Sequence, residues 1–300
     1  MHRVSLGCSC SIGRRWPSYD TLPGLRLTVV VENRAGPGCC GAHGFAAWLE
    51  AGSAVVLVDT GPDPDLLAQN AAALGLDLGR VEAVVLSHGH DDHSGGLPAV
   101  VAARAGCPLS VVMHPAATRR RFSRRTGLPR PIGMPDASQE ALRSPGVEVV
   151  TSLQPTCVIP GIWATGAIPR RQENPGETYL VLDPTGRKPD PLDDDQAVVV
   201  DTEHGLVVVC GCAHAGIANT LDHIAKIRPG APIALLAGGL HLGTAAESPT
   251  LIGLCDDLGR RQIARYALGH CTGERAERFL AQHLGGTVTT LNCGTRLEIP

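Results

Sequence analysis

Ser87-His88-Gly89-His90-Asp91-Asp92-His93 follows a short apolar run, Val81 to Leu86, that reads as a buried strand. Three imidazoles and two carboxylates therefore arrive together at one strand end. Such a cluster adds little to packing. It suits divalent cations of the zinc kind, whose preferred ligands are neutral imidazole and carboxylate oxygen. By spacing, His88 and His90 can share one ion, while Asp92 and His93 face a second across the turn. The alternative, a solvated histidine-rich turn, must bring His88, His90, Asp92 and His93 together by accident.

Other strands end in the same way. Leu109–Met113 stops at His114, and Leu206–Cys210 runs into Gly211-Cys212-Ala213-His214. Ile233–Ala237 stops at Gly238-Gly239-Leu240-His241, and Ile263–Leu268 at Gly269-His270. Ligands collected at the ends of several strands are how an α/β protein mounts a site on a rigid frame. The remaining pattern gives a strand at Leu25–Val31, a hairpin over Phe45–Asp59 and helices near 63–74, 98–105, 217–227 and 274–284. Strands follow at Val147–Thr151 and Gln196–Val200, and a last strand, Thr287–Leu291, closes the chain. Strands interleaved with helices in both halves predict two similar sheet lobes, with the site along the edge where the sheets meet. Residues 1–23 read as a loose tail and 24–300 as one domain. Within it 117–145, polar, basic and broken by proline, reads as a lid or insertion rather than core.

The chain has 300 residues, 43% of them hydrophobic, enough for one large core or two lobes packed as one domain. A net charge of −3 and only 3% aromatic residues argue against a nucleic-acid surface. No apolar run reaches the roughly eighteen residues of a membrane span. The 11 cysteines are odd in number and irregularly spaced, which points to no disulfide framework and to a reducing cytoplasm.

With these residues on the page, the chain resembles the metallo-β-lactamase superfamily. That family's His-x-His-x-Asp-His hallmark is here His88, His90, Asp92 and His93, and Asp59-Thr60-Gly61 is similar to its Asp-Thr-Gly turn. The resemblance implies an α/β fold, a four-layer αβ/βα sandwich of two mixed sheets flanked by helices. Gly95-Gly96-Leu97, Gly211 to His214, Gly238 to His241 and His270-Cys271-Thr272-Gly273 are similar to the subgroup of dihydropterin–ribofuranosylaminobenzene phosphate synthases. Ala42-His43-Gly44 and Gly166 to Arg170 look like landmarks of the same subgroup. Two positions depart: Asp91 stands where members often carry Tyr, and Cys212 where most of the superfamily has a metal-bridging aspartate.

The expected metal ligands are His88, His90, Asp92, His93 and His214, with His241 or His270 as the last; spacing does not choose between these two. Cys212 is either a thiolate ligand or a small buried hydrophobe. Asp59 is expected to orient a ligand histidine rather than to ligate. Asp92 is the catalytic candidate, holding and orienting a water. Arg121, Arg124 and Arg170, with His43, are the substrate-binding candidates. Arg119, Arg120, Arg125 and Arg130 belong to the same basic run, and a solvated lid face is its bland alternative. The cofactor expected is zinc, two ions, with iron or manganese as alternatives on the same ligands. The chemistry expected is metal-assisted hydrolysis of an ester-like or phosphate-containing, anionic small molecule. The resemblance implies the alternative of a transferase that condenses a dihydropterin diphosphate with an aminobenzene ribofuranoside phosphate. A non-catalytic metal-binding protein is the third reading.

Overall fold

Leu25–Val31, Ala46–Ala51 and Ala54–Val58 are rich in Val, Leu and Ala and are buried almost throughout. Only strands covered on both faces satisfy such a pattern. A computed structural model shows how they are covered. It describes residues 21–22, 24–171, 179–243, 249–285 and 287–299. The expected N-terminal tail therefore lies outside the described residues, apart from Thr21 and Leu22.

Two seven-stranded mixed sheets face each other. The first runs in the order 296–299, 25–31, 46–51, 54–58, 83–85, 109–113, 147–151. Its pairings are antiparallel as far as 54–58 and parallel beyond. The second runs 287–290, 265–268, 233–238, 205–210, 197–202, 162–164, 156–159. It is parallel as far as 205–210 and antiparallel beyond. Each half thus repeats one mixed pattern. Val29, Val56, Val58 and Val85 meet Val198, Val207, Val209 and Leu235 between the sheets. Outside the first sheet, Trp48, Leu57, Leu67 and Val100 pack under the helices Pro64–Ala73 and Leu97–Arg104. Outside the second, Leu221, Ile224, Leu236, Leu258 and Leu280 pack under Ile217–Ile227, Pro249–Arg260 and Glu274–His283. These are the four layers of the expected sandwich. Each fully buried Val or Leu stabilises the fold by about 1.5–3 kcal/mol, so the strands are a stiff mount for the loops at their ends.

The structure adds elements to those that the sequence reading predicted. The chain does not close on Thr287–Leu291: Arg296–Ile299 returns to the first sheet and pairs antiparallel with Leu25–Thr28. Its four residues alternate exposed and buried, too short a pattern to stand out. The helix Pro249–Arg260 escaped because Gly253 and Gly259 depress helix propensity, although Leu251, Cys255 and Leu258 are buried at helical spacing. Residues 117–145 run from the core of the first lobe to the histidine loop. Ala117, Met134 and Ala141 belong to the core beneath the first helical layer. Phe122–Ser123, Arg130–Pro131 and Leu180–Val181 form a small third sheet. The same segment covers the histidine loop, where Asp91 N–H donates to Ile132 O at 2.8 Å. No helix among the described residues is long and apolar enough to cross a membrane.

Candidate metal centre

The carboxyl ends of parallel strands are where open α/β sheets place their ligand sites. Here 54–58, 83–85, 205–210, 233–238 and 265–268 all end at one edge, and each end delivers a site residue. Three of these residues, Asp59, His241 and His270, and Ala213 between Cys212 and His214, have left-handed backbone with φ between 50° and 58°. Non-glycine residues hold that conformation only where surrounding contacts over-determine it.

Asp59 is fully buried and sets the orientation of the histidine loop. Its Oδ1 accepts Ser87 N–H at 2.7 Å, and its Oδ2 accepts the Ser87 hydroxyl and His93 Nδ1–H, both at 2.7 Å. Because the Ser87 hydroxyl donates to Asp59, its oxygen accepts from His88 Nδ1 at 2.9 Å. Asn33 Oδ1 does the same for His270 Nδ1 at 3.0 Å, and His270 N–H donates to Glu32 Oε1. A proton fixed on each Nδ1 turns the opposite ring nitrogen toward the site, as second partners of metal-bound histidines do.

Those nitrogens converge in two groups. His88 Nε2 lies 3.0 Å from His90 Nδ1 and 3.2 Å from His214 Nε2. His93 Nε2 lies 3.1 Å from His270 Nε2, and Asp92 Oδ2 is 3.5 Å from the first and 3.6 Å from the second. Cys212 Sγ, 3.2 Å from His93 Nε2, stands between the groups. Ring lone pairs this close repel unless a proton or a cation lies among them. The donor set, imidazole with one carboxylate and one thiol, fits zinc-class ions. The structure thus brings His270, and not His241, against His93 and Asp92. His241 lies instead over His214, ring centroids 4.4 Å apart. His114 accepts Ala116 N–H at 3.0 Å and joins none of the candidate ligand groups among the described residues.

The electrostatics follow from crowding. Burial, then the neighbouring rings of His93, His90 and His214, hold the His88 pKa well below its ordinary value. Burial and His93 do the same to His270. Burial alone would lower His93 too, but Asp92 and Asp59 outweigh it and raise its pKa to about 9. Burial and Asp92 push Asp91 up to about 6. Burial pushes the Cys212 thiol well above the usual range, whereas at the half-buried Cys271 desolvation is outweighed by hydrogen bonds with Cys212 and His241, which hold its thiol well below that range.

The sequence reading missed the braces behind the ligands. Asp194 Oδ2 accepts Gly89 N–H, and Asp195 Oδ2 accepts Ala215 N–H, each at 2.8 Å. Gln196 Nε2 donates to Leu86 O at 2.8 Å, so residues 194–196 stitch both histidine loops together. The signal was present in the acidic run Asp193-Asp194-Asp195, which directly precedes a strand.

Three of the expected arginines lie apart from the ligand groups. Arg121 is buried and turned from the cavity, pairing with Asp190 at 2.5 Å and Asp194 at 2.8 Å. Arg124 donates to Gly186 O at 3.1 Å and Arg170 to Leu192 O at 2.6 Å, and neither lines the cavity. The cavity, about 300 Å³, is lined instead by Arg125 and Arg130, with Tyr179, His43 and Asp91 beside the candidate ligands. His43 Nε2 lies 3.3 Å from Asp92 Oδ2, with its side chain 71% exposed at the mouth.

Comparison with known proteins adds a frame to this geometry. The profile of the metallo-β-lactamase superfamily matches residues 42–270. The 7,8-dihydropterin-6-methyl-4-(β-D-ribofuranosyl)-aminobenzene-5'-phosphate synthase of Methanocaldococcus jannaschii is 25% identical over 80% of this chain and 82% of its own length. The crystal structure of Tm1679, described as a metal-dependent hydrolase of the β-lactamase superfamily, superposes with a TM-score of 0.77 at 28% identity, covering 92% of this chain and 99% of that one. Zn(2+)-bound PqqB from Methylobacterium extorquens shares the fold at a TM-score of 0.54 and 14% identity, over 91% of this chain and 100% of its own.

Proposed function

We propose, because this chain belongs to the metallo-β-lactamase superfamily, that its converging imidazoles hold a two-cation centre for hydrolysis of an ester-like or phosphate-containing small molecule. His88, His90 and His214 would hold one zinc-class ion, and Asp92, His93 and His270 the other, with Cys212 between them. Such ions lower the pKa of a bound water toward neutrality and polarise the oxygen under attack. The observation that carries the reading is the set of Nδ1 partners, Asp59, Ser87 and Asn33, which aims His93, His88 and His270 into one space.

The chain's own residues divide the remaining work. Asp92 Oδ2 orients the attacking water. His43 Nε2, 3.3 Å from that oxygen, is placed to hold the proton at the solvent side. Arg125, whose guanidinium lies 5.9 Å from the Tyr179 ring centroid, and Arg130 supply planar donors for phosphate or carboxylate oxygens at the rim. That rim supports an anionic substrate.

The same two arginines, with the 25% identity to a synthase, favour a second reading, transfer of a dihydropterin from its diphosphate to an aminobenzene ribofuranoside phosphate. Incubation with the pterin diphosphate, with and without the amine, separates the two. Diphosphate release without amine supports hydrolysis, and release that requires amine supports transfer. A His88→Ala, His90→Ala double variant should fold and bind less metal than wild type, having lost the first ion; full metal content in that variant would overturn the centre.

A further inference from the structure

Cys271 has no place in the two imidazole groups, yet it lies beside them. Its Sγ, the Cys212 Sγ and a ring nitrogen of His241 all lie within 4.8 Å of one another. The three residues follow three strands, Gly205–Cys210, Ile233–Gly238 and Arg265–Leu268, that are parallel neighbours in the second sheet. Their arrangement is held by local contacts. His241 N–H points at Cys271 Sγ at 3.3 Å, and that sulfur is 3.6 Å from Cys212 O. Leu240 N–H donates to Thr272 Oγ1 at 3.0 Å, which ties the two loops. Gly239 leaves the room: a Cβ there would stand 2.5 Å from Cys271 Sγ. His241 itself is held at φ 52°, where a non-glycine backbone is disfavoured.

Two sulfurs and one imidazole supply three corners of a tetrahedral site for a borderline-soft ion. All three residues line the cavity, so the fourth corner faces it. We propose that Cys212, His241 and Cys271 form a sulfur-ligated cation site for a zinc-class divalent ion, next to the imidazole centre and open to the same cavity. The site goes beyond the proposed hydrolytic centre and shares with it the Cys212 sulfur, which also faces His93, while the His241 ring lies over that of His214.

Cobalt(II) tests the site, because a thiolate ligand gives it a near-ultraviolet charge-transfer band that imidazole and carboxylate do not. The full-length protein is stripped with a chelator and reconstituted with cobalt alone. Wild type is expected to show the band. Cys271→Ser should lose about half of it, as one of two thiolates is removed, and His241→Ala should weaken cobalt retention at this site at least tenfold. Circular dichroism identifies variants that fail to fold. For any that do, native mass spectrometry of zinc-loaded wild type, blocked at accessible thiols with and without zinc, reports whether zinc protects Cys271. The His88→Ala, His90→Ala variant should keep the band, which separates failure of the imidazole centre from failure of this site. A wild-type cobalt protein without the band, a band of full intensity in Cys271→Ser, or Cys271 alkylated equally with and without zinc would overturn the proposal.

Discussion

The Asp59 carboxylate accepts the Nδ1–H of His93 at 2.7 Å, and both side chains are fully excluded from water. A carboxylate that only accepts leaves His93 one way to face the cavity, through Nε2. Asp59→Asn keeps the shape and tolerates the left-handed backbone at φ 58°, since Asn is enriched there. It removes the charge and presents an amide that can donate. Metal affinity, measured by chelator competition, is expected to fall about 10–100-fold with little change in fold. An unchanged affinity would show that Asp59 is a turn residue only.

Metal uptake should depend on pH through His93. Burial lowers its pKa, Asp92 and Asp59 together raise it, and the balance stands at about 9. Below that value the ring carries a proton that must leave before Nε2 can ligate. Apparent affinity should therefore rise about tenfold per pH unit from near pH 7 and level off near pH 9, with one proton released per ion bound. Calorimetry in buffers of different ionisation enthalpy measures that proton. An affinity independent of pH across this window would mean that His93 is already neutral.

The site was legible where its chemistry is local. His88, His90, Asp92 and His93 sit within one loop, and the strand before them announces itself by its apolar run. The strand ends carrying His214, His241 and His270 were equally visible, but their division was not. Which of His241 and His270 meets His93 depends on how two adjacent loops turn after parallel strands, and spacing carries no record of that. Asn33, Asp194 and Asp195 are ordinary polar residues until the fold brings them against the ligand loops. The arginine run is the plainest case. Arg121 and Arg124 look alike in sequence, yet one is buried against an aspartate 69 residues away and the other is exposed.

That contrast gives a stability prediction. Arg121→Met removes the guanidinium that pairs with both Asp190 and Asp194, leaving two carboxylates buried. Breaking a buried pair from one side costs about 3–5 kcal/mol. Because Asp194 also holds Gly89 N–H, metal affinity should fall as well. Arg124→Ala, on the surface, should leave both properties near wild type. Urea denaturation with a parallel zinc titration measures the pair, and equal effects of the two variants would refute the assignment.

Gly211 offers the sharpest steric test. A Cβ built there would stand 2.0 Å from Ser87 Oγ and 2.6 Å from Asp59 Oδ2, the two groups that set the His88 and His93 rings. Neither can retreat, because Asp59 and Ser87 are both buried and bonded to each other. Gly211→Ala should therefore cost about 1–3 kcal/mol of stability and weaken metal binding beyond what that loss explains. Gly253→Ala is the matched control. It lies in the helix Pro249–Arg260 with nothing within 4 Å of the added carbon, and should stabilise by up to about 1 kcal/mol. If Gly211→Ala binds zinc as tightly as wild type, the hydrogen-bonded chain from Asp59 through Ser87 to His88 does not govern the metal centre.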